Sequence, residues 1–165
     1  MKSNYIAKGG LFTALSIVLL YLACILPTNK IALLVLASAM IPLMVVTCNV
    51  KYAFLVYVAT SALSFILPNK GIMILYICIF GLFGIIKYFA EKTHNRIFEY
   101  LIKYAYFNLT LFVSYVLFNF LLLPIDNYKI SIGLLLVLAE ILFGLYDYLL
   151  TIFISYFINK LKRLK

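Results

Sequence analysis

ISIGLLLVLAEILFGLYDYLLTIFISYFI, residues 130–158, holds no basic side chain and only two acidic ones, Glu140 and Asp147. An α-helix rises about 1.5 Å per residue and a bilayer's hydrocarbon layer is about 30 Å thick, so roughly 20 mostly apolar residues suffice to cross it. This run exceeds that length. It is preceded by Pro124-Ile125-Asp126-Asn127 and followed by Asn159-Lys160-Leu161-Lys162-Arg163-Leu164-Lys165, which hydrocarbon would exclude. It predicts a membrane-crossing helix.

Working back from that run, turn residues and charges divide the chain into five further segments of the same kind. They are Lys8–Leu26, closed by Pro27-Thr28-Asn29-Lys30; Ile31–Thr47, ended by Asn49 to Lys51; and Tyr52–Leu67, stopped by Pro68-Asn69-Lys70. The fourth is Gly71–Ala90, followed by Glu91-Lys92-Thr93-His94-Asn95-Arg96, and the fifth is Ile97–Leu123. The second and third are short, and one re-entrant hairpin is the alternative for that pair. The expected fold is all-α: one polytopic membrane domain over residues 1–165, a bundle of six transmembrane helices.

Composition agrees, with 67% hydrophobic and 12% charged residues against roughly 45–50% and 25% in soluble domains. So many apolar side chains exceed the interior of any soluble domain of this length. Lys2 and Lys8 ahead of Leu11–Leu26 imitate a signal peptide, but further spans follow directly, which makes it a retained first span. Lysine outnumbers arginine 12 to 2, a bias suited to an AT-rich bacterial genome.

The basic residues orient the bundle, because cytoplasmic flanks are enriched in lysine and arginine. Six spans put Lys2, Lys8, Lys51, Lys87, Lys92, Arg96, Lys103, Lys160, Lys162, Arg163 and Lys165 on one side. Lys30, Lys70 and Lys129 fall on the other, a split of 11 against 3. Both termini are therefore expected in the cytoplasm, with the protein in the cell membrane and lipid around it. The net charge of +9 is spread over span flanks rather than gathered in an aromatic-basic patch, which argues against a nucleic-acid partner.

Glu140 and Asp147 are spaced by seven, so they share one face of the last helix with Gly133, Gly144, Thr151 and Ser155. Carboxylates inside a membrane usually face the bundle interior or a wet cavity. The fifth segment carries a matching stripe of Tyr104, Asn108, Tyr115 and Asn119. A turn near Asn127-Tyr128 would bring Asp147 opposite Asn108 and Glu140 opposite Tyr115. Asp147 and Asn108 are expected to act as an intramembrane polar pair that holds two helices together. Glu140, with Tyr115 and Asn119, lies nearer the outer face and is the candidate for binding a solute.

Tyr57, Thr60, Ser61 and Ser64 on the third span, and Gly81 and Gly84 on the fourth, read as packing surfaces. Ala7, Gly10 and Ala14 form a small-residue surface on the first span, suited to close helix approach within the bundle or to docking on a separate protein. Asn108-Leu109-Thr110 has the glycosylation pattern but lies inside a span. Cys24, Cys48 and Cys78 read as small apolar fillers, and His94 sits among charges in a connection. No catalytic constellation, phosphate-binding loop, metal-ligand cluster or cofactor motif is legible, so an enzyme is not expected.

A basic start running into Gly9-Gly10-Leu11-Phe12-Thr13-Ala14-Leu15, a short proline loop, a compact second and third span and a glycine-bearing fourth form a recognisable layout. It resembles the substrate-binding S components of energy-coupling factor (ECF) vitamin transporters. Ile41-Pro42-Leu43 and Lys51-Tyr52 are similar to that family's second and third spans. The resemblance implies capture of a small solute, such as a vitamin, near the outer face. It implies hand-over to an ECF coupling subunit and its ATPases, with Gly10 and Ala14 in the docking surface and no cofactor of its own. The layout is also similar to the rod-shape-determining membrane protein D family, which would imply a non-transporting scaffold.

Overall fold

The computed structural model describes residues 2–26, 28–93, 95–120 and 132–163, and every regular element among them is helical. Six helices follow one another: α1 (Lys2–Ile25), α2 (Lys30–Thr47), α3 (Val50–Ser64), α4 (Lys70–Glu91), α5 (Arg96–Phe120) and α6 (Ile132–Arg163). All except α3 are long and apolar enough to cross a membrane. With 15 residues, α3 spans about 22 Å as a regular helix. Its end tightens into i→i+3 bonds, from Phe65, Ile66 and Leu67 N–H to the carbonyls of Ala62, Leu63 and Ser64, which close the helix with a turn.

The chain folds first upon itself through α1, α2 and α3, which pack mutually around Leu20, Ala37, Met44 and Val56. The most buried of the membrane-length helices is α4, which contacts α2, α3 and α5. It can sit there because two positions carry no side chain. A Cβ at Gly84 would lie 2.6 Å from Pro42 Cδ of α2, and one at Gly81 would lie 2.7 Å from the Tyr57 ring of α3. These glycines thin α4, as their place in the sequence implied. Elsewhere on α3, Thr60 and Ser64 return their hydroxyl protons to their own helix, at the Val56 and Ser61 carbonyls.

Within α4, residues Tyr76–Phe80 form a π-helical turn. Widening the ring from i→i+4 to i→i+5 takes carbonyls out of their usual partnership, a costly state where no water reaches them. Tyrosines from both flanking helices meet that need. The Tyr57 hydroxyl donates to the Ile77 carbonyl at 3.0 Å, and the Tyr106 hydroxyl of α5 donates to Cys78 at 2.7 Å and Ile79 at 3.2 Å. Removing one partner of a buried hydrogen bond costs about 1–3 kcal/mol. Tyr106→Phe is therefore expected to lower unfolding stability by about that amount, while Tyr100→Phe, an exposed control on the same helix, changes little. Denaturant titration followed by helical circular dichroism compares the two.

The placement of α6 differs from the expected antiparallel pairing with α5 alone. Its backbone runs closest to α2, where Tyr146 and Ser38 share a hydrogen bond of 2.8 Å. It reaches α5 through side chains, above all Phe143 stacked on Phe107 with centroids 4.2 Å apart. Phe83 of α4 meets the edge of Phe143 at 5.0 Å and closes this second core.

Candidate functional site

The last turns of α4 and the first turns of α5 bring two lysines into the protein interior. The Lys87 and Lys103 side chains are each 2% exposed. An ammonium in that setting needs opposite charge and complete hydrogen bonding, because desolvation costs several kcal/mol per ion. Asp147 of α6 supplies charge to both, pairing with Lys87 through Oδ1 and with Lys103 through Oδ2, the latter at 3.0 Å. Lys87 also donates to the Asp147 carbonyl at 3.2 Å and Thr151 Oγ1 at 2.8 Å, and pairs with Glu91 at 3.0 Å. Lys103 pairs with Glu99 at 2.5 Å and Glu91 at 3.5 Å.

The network thus holds two cations and three carboxylates, joining α4, α5 and α6 with a formal charge of −1. Its exposure is graded: the side chains of Asp147, Glu99 and Glu91 are 15%, 25% and 42% exposed. It therefore opens toward the end of the bundle where α4 finishes and α5 begins. Beside it lies a cavity of about 250 Å³ lined by Glu91, Glu99, Lys103, Asp147 and Thr151 together with rings of Tyr100, Tyr104, Phe143 and Tyr148. Gly144, with the Tyr104 hydroxyl 3.3 Å from where its Cβ would stand, keeps room between the two helices.

Asp147 and Asn108, expected opposite each other, have different partners. Asn108 Nδ2 donates to Glu140 Oε1 at 2.7 Å and to the Tyr104 carbonyl at 3.0 Å. The pairing along α6 is displaced by seven positions, or two turns. The cause is charge: a carboxylate in apolar surroundings takes two ammonium groups in preference to a neutral amide. The turn at Asn127-Tyr128 that set the expected register lies outside the described residues.

Glu140 accordingly meets Asn108 rather than Tyr115, which lies two turns further along α5 and is 60% exposed. The second Glu140 oxygen, Oε2, is buried and without a hydrogen-bond partner among the described residues. Asn119 belongs to α5, but its side chain lies outside the described residues. Ala7, Gly10 and Ala14 are all exposed, and nothing stands within 4 Å of a Cβ added at Gly10. Their face of α1 points away from the bundle, whereas neighbouring Gly9 faces Met44 and Val56 at 3.6 Å.

No family model matches this chain, and neither a curated protein nor a solved structure matches it.

Lys87 and Lys103 are the site residues that the sequence reading did not single out, having assigned them to orientation alone. A signal was present. Each lies inside a predicted span, each stands four residues from a glutamate (Glu91, Glu99), and the next span carries a carboxylate at similar depth. Buried ion pairs are built from such i,i+4 partners plus one acceptor from another helix. No group of three or more His, Cys, Asp or Glu side chains arranged to hold a metal occurs among the described residues.

Proposed function

We propose that this chain is a solute-binding subunit of the cell membrane, similar to an ECF-transporter S component, that captures a small solute from outside for an ATP-driven partner module. In this reading all six helices cross the bilayer and both termini are cytoplasmic. The even number of helices and the 11-to-3 division of basic residues support that orientation.

One observation carries the solute-binding part of the reading. Capture from outside rests on the resemblance to S components, because in this orientation the charged network opens at the cytoplasmic end, where α4 finishes and α5 begins. Between α5 and α6, in a chain that is 67% hydrophobic, lies a cavity of about 250 Å³ walled by ionised side chains and tyrosines. Two helices that served only to pack would bury apolar side chains there. Glu140 and Asn108 lie on the outward side of that cavity, two turns along α6 from Asp147. Glu140 Oε2, which has no hydrogen-bond partner among the described residues, is the acceptor offered to a hydrogen-bond donor that has come past Tyr115 and Asn119. The exposed face of Ala7, Gly10 and Ala14 suits docking on a coupling subunit, since small residues allow close helix approach.

Mass spectrometry of small molecules retained by the purified protein tests the reading. A hydrogen bond to a charged acceptor contributes about 1.5–3 kcal/mol, so Glu140→Gln is expected to reduce retention at least tenfold at unchanged helical content. A preparation with no retained or titratable solute and no association with a coupling subunit would overturn it. That result would favour a scaffold resembling rod-shape-determining membrane protein D, a reading that leaves the charged cavity without a role.

A further inference from the structure

We propose that the cavity between α5 and α6 takes a compact organic monocation, an ammonium group on a body of about ten non-hydrogen atoms. The proposal deepens the solute-binding reading and rests on it. Its first support is charge. Three carboxylates face two lysines, and both ammonium groups are engaged: Lys87 on Asp147, Glu91 and Thr151, Lys103 on Asp147, Glu99 and Glu91. What remains to meet a ligand is acceptor. Among the described residues the lysines contact Glu91 and Glu99 through Oε1, so the second oxygen of each can accept. A residual charge of −1 in a low-dielectric setting is relieved by one added positive charge and aggravated by an anion.

The second support is the wall. Tyr100, Tyr104, Phe143 and Tyr148 line the same space, and ring faces attract ammonium groups as well as hydrocarbon. This combination of carboxylates and rings suits an organic cation better than a metal ion. A divalent ion would have to displace Lys87 or Lys103 from the carboxylates it needs. The third support is size. An apolar cavity of roughly 150 Å³ accommodates benzene, so about 250 Å³ holds a body of about ten non-hydrogen atoms and is far larger than a bare alkali ion.

The test uses the full chain, purified in detergent, with thermal unfolding followed by helical circular dichroism and binding followed by calorimetry. Choline and phenethylamine are the cationic probes. 3,3-Dimethyl-1-butanol is the uncharged shape-match of choline, and potassium chloride and benzoate are the inorganic and anionic controls. At least one ammonium probe is expected to raise the unfolding midpoint by several degrees at millimolar concentration, with no shift from the alcohol, potassium or benzoate. Glu99→Gln leaves two carboxylates opposite two lysines and is expected to weaken Kd at least tenfold. Tyr148→Leu, at an exposed ring position that tolerates replacement, is expected to weaken it three- to tenfold and serves if Glu99→Gln fails to fold.

Equal stabilisation by the alcohol, stabilisation by potassium alone, no stabilisation by either ammonium, or full affinity in both variants overturns the proposal. Ammonium binding without any association with a coupling module keeps the ligand class and removes the transport reading. Association with the module and no ammonium binding does the reverse.

Discussion

Asp147→Asn is expected to destabilise the protein by about 3–5 kcal/mol, the loss found when one partner of a buried ion pair is removed. The replacement keeps shape and volume, so the loss reports charge. Asp147 touches both lysines, as Glu91 does, but it is the least exposed of the three carboxylates, at 15%. Without its charge, Lys103 keeps Glu99 and Glu91, whereas Lys87 keeps only Glu91, the most exposed of the three at 42%. The double variant Asp147→Asn with Lys87→Met is expected to recover part of the loss, since an uncompensated buried ammonium is then no longer present. Unfolding in detergent by a denaturant series, read by circular dichroism, gives both values. A single-variant loss below about 1 kcal/mol, the range of exposed pairs, would mean that the network is solvated rather than interior.

Gly84→Val is expected to cost about 3 kcal/mol or more, at or beyond the upper end for overpacking a core. Even a single added carbon would stand 2.6 Å from Pro42 Cδ and 3.2 Å from Pro42 N. The obstacle is a ring fused to the backbone of α2, with no rotamer to move into. Relief requires α2 and α4 to separate, which opens the contact on which Ile41 is buried. Gly10→Val, on an open face of α1, is the matched control and should change stability little in the isolated protein. Equal effects in the two variants would refute the close crossing of α2 and α4. A separate loss of partner association in Gly10→Val would locate docking on α1.

The helical class and the internal helix starts were legible because they depend on composition and on prolines, asparagines and charges that hydrocarbon excludes. The outer ends were not, since α1 starts at Lys2 rather than Lys8 and α6 runs on to Arg163 rather than stopping at Ile158. Lys30, Asn49, Asn69 and Arg96 all stand at or beside an observed helix start. Asn49 and Asn69 go further and accept hydrogen bonds from the Val50 and Ile72 N–H groups. The polar face of α6 was legible too, since a spacing of seven places Glu140 and Asp147 on one side. Their partners were not. A register inferred from a turn assumes that two helices meet along their full length, yet α6 packs its backbone on α2 and meets α5 through side chains. In the sequence Lys87 and Lys103 count only among the 11 basic residues that orient the bundle. Only the fold shows that both turn inward to a single aspartate.

The π-helical turn at Tyr76–Phe80 bears on this site from a distance. It accommodates one residue more than a regular turn, so the half of α4 that follows is out of phase with the half before it by about 100°. Upstream, Ile72 and Tyr76 face the core with α1 to α3; downstream, Phe83 and Lys87 face α5 and α6. Had α4 been regular throughout, Lys87 would have come round to a different side and Asp147 would have lost its first cation. The meeting of those two charges is therefore recorded in the number of residues between Leu75 and Gly81, a quantity indifferent to which side chains fill it, and α4 can exchange residues there more freely than it can gain or lose one.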